Sequence, residues 1–405
     1  MRPVVRSRLI AATLILAASL LSLSVASASD FEPVKCDAAK PYRGKPLHAS
    51  VDADTFAAIG RELTGALDAA TSARLDAAAA KALTLARANA MTLAVGVPGQ
   101  GVLGRGLWST TVDAKGATSG ADAPLAFHWA SVGKAFTGAV IAQLIAEGKL
   151  SLDAPLSRWD ASLPNARVIT VDHLLTHTSG LFSFNSDLKF RARRGYQPPG
   201  VLLDIAKKHG NAFCPGEAWA YTNTGYALLG RIIEAIDGRP LHEALTARII
   251  TPLGLRRTRA LPPAASWDGL ARPFTSGKDP EVLDPSTPFG AGIITSTADD
   301  LIRFWHALLT GRVVPSAAVP GLFERLYPMF DEGTFYGRGV MLYTLPPQDG
   351  VRETWLGHSG GSAGVKAVVA YSVERRAFVA VALTGDGPAE AMANLLLRTL
   401  SAPRP

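Results

Sequence analysis

The chain carries β-type sequence towards both ends and helical sequence in between, and this arrangement constrains its fold more than any other feature. Residues 91–97 alternate with β-branched side chains, Pro98-Gly99-Gln100-Gly101 forms a turn, and residues 102–111 return, which reads as a hairpin. Far along the chain, residues 338–343, 354–358, 365–371 and 377–383 are again β-rich, and residues 389–400 close as a helix. Helical spacing dominates between them, at residues 198–208, 226–236, 241–250 and 297–309. Strands separated in this way bury their faces by sharing one sheet. The expected class is therefore α+β: an antiparallel sheet built from both termini and flanked by helices, with an inserted mainly helical lobe. A chain of this length exceeds what one core usually holds, so two lobes are expected. The boundaries are about 52–130 with 335–400 for the sheet lobe and about 131–334 for the helical lobe, with the site at the seam.

Residues 1–28 have the form of a secretory signal: Arg2, Arg6 and Arg8 precede an apolar run from Leu9 to Leu23, and Ala26-Ser27-Ala28 offers a cleavage site. Ser19, Ser22 and Ser24 disfavour a membrane anchor. An exported, periplasmic or secreted protein is expected, with no stable membrane anchor after cleavage. Removing that segment takes three arginines and no acids, so the net charge falls from +7 to +4. Neither that balance nor any long basic run points to nucleic acid. The densest basic cluster, Lys189, Arg191, Arg193 and Arg194, reads as a solvated loop, with recognition of a substrate carboxylate as the alternative. Cys36 and Cys214 stand where disulfides persist, and the sequence leaves both a disulfide and buried free thiols open. Residues 52–89 read as two helices broken near Thr71-Ser72, and residues 261–288 as surface loop.

Chemistry concentrates in three stretches. From Ser131 to Glu147 the sequence is almost wholly apolar, with Val132, Phe136, Val140 and Leu144 at four-residue spacing and Gly148 as the cap, so a buried helix is expected. Its first turn sets Ser131 and Lys134 on one face, at the end where free N–H groups and the helix dipole favour an oxyanion and disfavour a charged amine. Alone, this pattern describes a polar cap with a snorkelling lysine. In the run Trp219-Ala220-Tyr221-Thr222-Asn223-Thr224-Gly225, Tyr221 and Asn223 point the same way along an extended segment. Facing Ser131, Tyr221 would be a phenolate base held by the positive field of Lys134, and Asn223 would offer its amide to a substrate carbonyl. The third stretch, Gly357-His358-Ser359-Gly360-Gly361-Ser362-Ala363-Gly364, is expected between two strands. Its small residues let a substrate backbone lie alongside, with the N–H of Gly361 joining that of Ser131 as an oxyanion hole.

Two rival readings fail on sequence. Gly357-His358-Ser359-Gly360-Gly361 fits a nucleophile elbow, but a strand follows where that fold needs a helix, and His358 is the last histidine in the chain. His173 and His177 have helical metal-ligand spacing, but Leu174 stands where a zinc peptidase needs Glu and no third ligand is signalled. Local hydrogen bonding that shapes the Thr178-Ser179-Gly180 turn is the expected role, and no metal or cofactor is expected.

Taken in order, Ser131-x-x-Lys134, Tyr221-x-Asn223 and His358-x-Gly360 resemble the serine β-lactamase and penicillin-recognising family. The resemblance is to the branch with class C β-lactamases, D-alanyl-D-alanine carboxypeptidases and related esterases. The stretches Leu174 to Leu181 and Tyr221 to Tyr226 are similar to family sequence in the same relative positions. The resemblance implies acyl transfer: Ser131 attacks a carbonyl, Tyr221 and Lys134 manage its proton, the amides of Ser131 and Gly361 hold the oxyanion, and water releases the acyl group. It implies a small-molecule or peptide substrate, with peptidoglycan-derived fragments among the candidates. Where class C β-lactamases carry Lys-Thr-Gly, this chain has His358-Ser359-Gly360, and an imidazole is a poorer partner than an ammonium for a β-lactam carboxylate. Histidine there also occurs among family carboxypeptidases and esterases, so that activity is expected. The alternatives are a class C-like β-lactamase and a silent binding module for wall fragments.

Overall fold

Among the described residues eleven strands organise the chain, and eight of them form one antiparallel sheet. The computed structural model describes residues 32–108, 126–275, 283–348 and 351–400; the signal-type segment and residues 109–111 of the expected hairpin lie outside them. The strands are β1 (Ala88–Val97), β2 (Gly101–Trp108), β3 (Phe127–His128), β4 (Arg259–Ala260), β5 (Ile294–Ser296), β6 (Tyr327–Pro328), β7 (Thr334–Tyr336), β8 (Met341–Gln348), β9 (Val351–Ser362), β10 (Val365–Ser372) and β11 (Ala377–Gly385). The large sheet runs β2-β1-β11-β10-β9-β8-β7-β6, so the early hairpin adds to the late strands through β1 and β11, where Leu93 faces Val381.

The helices used below are α1 (Ala69–Leu85), α2 (Gly133–Ala146), α3 (Asn223–Asp237), α4 (Ala298–Leu309) and α5 (Ala389–Leu400). Strand β11 is buried at every position, as a strand covered on both faces must be. Helices α1 and α5 pack on each other and on this part of the sheet, and α4 packs on β1, β10 and β11.

The expected break at Thr71-Ser72 is not there. Helix α1 runs through both residues because the Asp68 side chain caps it by accepting from the Thr71 amide. The earlier helix is only Ala53–Ala57, and the chain is irregular between the two, with Leu63 and Leu67 buried in that segment. Gly148 does end the buried helix, in the left-handed conformation with φ +70°.

Two features place the site. The small sheet β3-β5-β4 ends at Trp129, whose indole N–H donates to Ser296 O at 3.0 Å and whose amide donates to Ile294 O at 3.0 Å. Strand β9 outruns its neighbour: β8 begins at Met341, which pairs with Gly357, so His358 to Ser362 have no β8 partner along that edge. The glycine-rich stretch expected as a connection is therefore mostly strand, paired with β10 from Gly357 to Ser362. Cys36 and Cys214 form a disulfide that closes a sequence separation of 178 and pins the N-terminal segment just ahead of Trp219.

Candidate active site

Ser131 sits in a single 3-10 turn, Ala130–Val132, that feeds α2. Ala130 is held at φ +45°, a left-handed conformation that costs a residue with a Cβ roughly 1 kcal/mol or more. His128 holds that turn: its Nδ1 accepts from the Ala130 amide at 3.1 Å and its Nε2 donates to Pro285 O at 3.0 Å. Burial pushes His128 down to about 4, so the imidazole is neutral and this tautomer is fixed.

Lys134 is fully buried. Its Nζ lies 3.0 Å from Ser131 Oγ and donates to Ala291 O at 3.0 Å. Thr137, one turn on, donates to Gly290 O at 2.8 Å, so two side chains of α2 grip the turn Phe289–Ala291. Close approach of backbones makes this grip fit, since a Cβ on Gly133 would lie 2.8 Å from Gly292 Cα. Nothing in the sequence marked this turn, which lies far along the chain from Lys134. Desolvation drives the Lys134 amine well below its ordinary value. Its Nζ also lies 4.9 Å from the Tyr221 ring centroid and 5.5 Å from that of Tyr226.

Tyr221 meets Ser131 through its hydroxyl. Burial raises its phenol above the ordinary value, and the Ser131 hydrogen bond offsets that only in part. Burial therefore works against the expected phenolate and against a charged Lys134 alike, since removal of water penalises both the anion and the ammonium. His177 explains how Tyr221 is aimed. Its Nδ1 accepts from the Thr222 amide at 3.2 Å, and its ring lies 4.3 Å from the Tyr221 ring. His173 instead accepts from the Thr170 amide in a capping box, so the two histidines serve different backbone groups.

The other site residues divide. Gly360 lies against the nucleophile turn, where a Cβ would come 2.4 Å from Trp129 O and 2.9 Å from the Ser131 amide nitrogen. Gly361 is exposed on the unpartnered edge of β9. Asn223 is the first residue of α3, and its Nδ2 donates to Asn185 Oδ1 at 2.9 Å, which also accepts from Ser183 Oγ at 2.7 Å. Asn185 was not singled out in the sequence. His358 is buried rather than presented at the edge: Nδ1 donates to Ser359 O at 2.7 Å and Nε2 pairs with the Tyr336 hydroxyl at 3.2 Å. Desolvation is the largest cause that lowers it to about 3, so it carries no charge for a substrate carboxylate. Ser359 points to the other side of the strand, meeting Glu390 at 2.5 Å and the Tyr343 hydroxyl at 2.6 Å instead of a histidine.

This constellation sets a hydroxyl beside a buried amine, at a helix N-terminus, next to a strand edge that β8 leaves unpaired. The comparisons agree with that chemistry. The Beta-lactamase family model matches residues 75–402. Penicillin-binding protein 4 of Amycolatopsis lactamdurans is 32% identical over 68% of this chain and 76% of its own length. Esterase EstB of Burkholderia gladioli is 31% identical over 45% of this chain and 56% of its own length. Among solved structures, a D-stereospecific amidohydrolase from Streptomyces sp. superposes with a TM-score of 0.66 at 27% identity, covering 81% of this chain and 99% of that one. The D-amino acid amidase of Ochrobactrum anthropi SV3 superposes with a TM-score of 0.68 at 25% identity, covering 80% and 97%. The chain belongs to the beta-lactamase family of serine hydrolases.

Proposed function

We propose that the protein is an exported hydrolase that forms an acyl-enzyme at Ser131 on ester or peptide-type amide carbonyls, in the manner of D-alanyl carboxypeptidases and related esterases. The observation that carries this reading is the fully buried Lys134, its Nζ 3.0 Å from Ser131 Oγ and its amine pushed towards the neutral form by desolvation. In the sequence of steps, Lys134 takes the Oγ proton as the oxygen attacks the carbonyl carbon. The carbonyl oxygen becomes an oxyanion between the amides of Ser131 and Gly361, where one donor is worth roughly 3 to 4 kcal/mol of barrier. Tyr221, bonded to Ser131, gives its phenol proton to the departing amine or alcohol and takes back the proton held by Lys134. Water then attacks the acyl ester, gives its proton back through the same pair, and releases the acid and Ser131.

The relatives' named activities on D-amino acid compounds, and the penicillin-binding names, support small peptide-type substrates, including fragments of peptidoglycan. The neutral His358 argues against efficient turnover of anionic β-lactams. Export is supported by the Cys36–Cys214 disulfide, a bond that persists in oxidising compartments, and no helix among the described residues is long and apolar enough to cross a membrane. The test is intact mass and peptide mapping after exposure to a fluorophosphonate and to penicillin, beside Ser131→Ala. A stoichiometric adduct on Ser131, absent from the variant, is expected, with slow loss of the penicilloyl mass. Fast loss would make the protein a β-lactamase, an adduct on Ser359 would overturn the choice of nucleophile, and no adduct would point to a binding module.

A further inference from the structure

Phe330 is 66% exposed, and it is the aromatic member of the large apolar side chains left in water among the described residues. A lone exposed hydrophobe is ordinary. Phe330, however, continues a wall of rings that ends at the nucleophile. Its centroid lies 5.8 Å from that of Trp219 in an edge-on contact and 6.2 Å from that of Tyr221, and Tyr221 in turn touches Ser131 through its hydroxyl. Trp219 and Tyr221 are themselves 6.5 Å apart.

The segment that presents Phe330 is fixed. It belongs to the turn between β6 and β7, where Tyr327 pairs with Tyr336 and Pro328 with Phe335. The Met329 amide closes the turn on Thr334 O at 2.9 Å, and Asp331 accepts from the Gly333 amide at 2.9 Å and from the Thr334 hydroxyl at 3.1 Å. The turn is also tied to β8, since Gly333 O accepts from the Thr344 amide at 2.7 Å. These bonds fix the backbone that carries the ring, and the Trp219 and Tyr221 rings flank it, so binding there loses little backbone freedom.

We propose that Phe330, with Trp219 and Tyr221, forms a subsite for a planar apolar group carried by the substrate next to the scissile carbonyl. Such a group packs edge-on or offset against the Phe330 ring and covers the apolar face that the free protein leaves exposed. The proposal rests on the acyl-transfer reading above and narrows it, from carbonyl compounds in general to those bearing an aromatic side group.

Three esters followed by pH-stat test it in the wild type and in Phe330→Ala: methyl acetate, methyl phenylacetate and phenyl acetate. The readout is the ratio of kcat/KM for each aromatic ester to that for methyl acetate. A ratio that falls roughly 3- to 10-fold in the variant for either aromatic ester supports the subsite and tells whether it serves the acyl or the leaving side. Ratios unchanged for both, including a uniform loss across all three esters, overturn it. Binding of phenylacetamide, read by tryptophan fluorescence, needs no turnover. Weaker binding by Phe330→Ala is expected, and equal binding by the two proteins overturns the subsite. A wild type that turns over no ester and takes no fluorophosphonate on Ser131 refutes the acyl-transfer reading instead, and the fluorescence titration still decides the subsite.

Discussion

Lowering the pH from 7 to 5 should remove a calculable part of this protein's stability, because its interior holds imidazoles that resist protonation. Burial depresses His358 to about 3 and His128 to about 4, whereas histidines of an unfolded chain titrate near ~6.5. The unfolded state therefore takes up protons as the pH falls through that value, and the folded state does not until the pH approaches its own lower values. Stability is thus full above the unfolded value, declines as the pH drops below it, and stops declining from this cause once the folded groups protonate. Between pH 7 and 5 each such histidine costs roughly 2 kcal/mol, and the pair roughly 4 kcal/mol, against a total of ~5–15 kcal/mol for an ordinary domain. His177, driven down chiefly by desolvation, acts in the same direction. Urea midpoints at pH 7, 6 and 5 would be compared for the wild type and His358→Gln. The variant is less stable throughout but should lose about 2 kcal/mol less over this range. Equal pH dependence in the two proteins would refute the reasoning, since His358 would then be accepting a proton while folded. His128→Gln carries the same test if His358→Gln is too unstable to measure.

Replacing Lys134 by Met keeps the buried volume and removes the base, so kcat/KM should fall by about 10²- to 10⁴-fold while the Tm changes little, as read by ester turnover and calorimetry. Gly360→Ala drives a Cβ to 2.4 Å from Trp129 O; turnover should be lost and stability should fall by roughly 1–3 kcal/mol, as measured by urea unfolding. Cys36→Ser with Cys214→Ser frees a loop of 178 residues, which chain entropy values at roughly 5 kcal/mol as an upper figure, so the urea midpoint should drop sharply and reducing agent should no longer affect it.

Much of this site was legible because its parts are local. The spacing of Ser131 and Lys134 on an apolar helix, the Gly148 cap and the helix Ala389–Leu400 each depend on residues within a few turns of one another. The errors came from competition that sequence spacing does not display. Thr71 and Ser72 resemble a break until Asp68 is seen to cap the helix around them. The glycines after His358 resemble a loop, but strand pairing with Val365–Ser372 and contact with the Ser131 turn demand small residues in a strand. The charge states of Lys134 and Tyr221 depend on how fully water is excluded, a property of the packed molecule. The Ala291 carbonyl that steadies Lys134 arrives from a distant part of the chain, without a motif of its own.

An unpaired strand edge invites other chains as well as substrates. Ser359 is already engaged, its amide with Met341 Sδ and its carbonyl with His358 Nδ1, but Gly360 to Ser362 lack a β8 partner and are a template on which a neighbouring molecule's strand could grow. At one point the edge is crowded: Gly360 lies against the Trp129–Ser131 turn, with no room even for a methyl group. A partner lying alongside must pass that turn, which favours a short, narrow segment over the broad edge of a folded sheet. The same close packing that aims the nucleophile thus guards the protein against aggregation, and substitutions that loosen this turn should lower solubility together with activity.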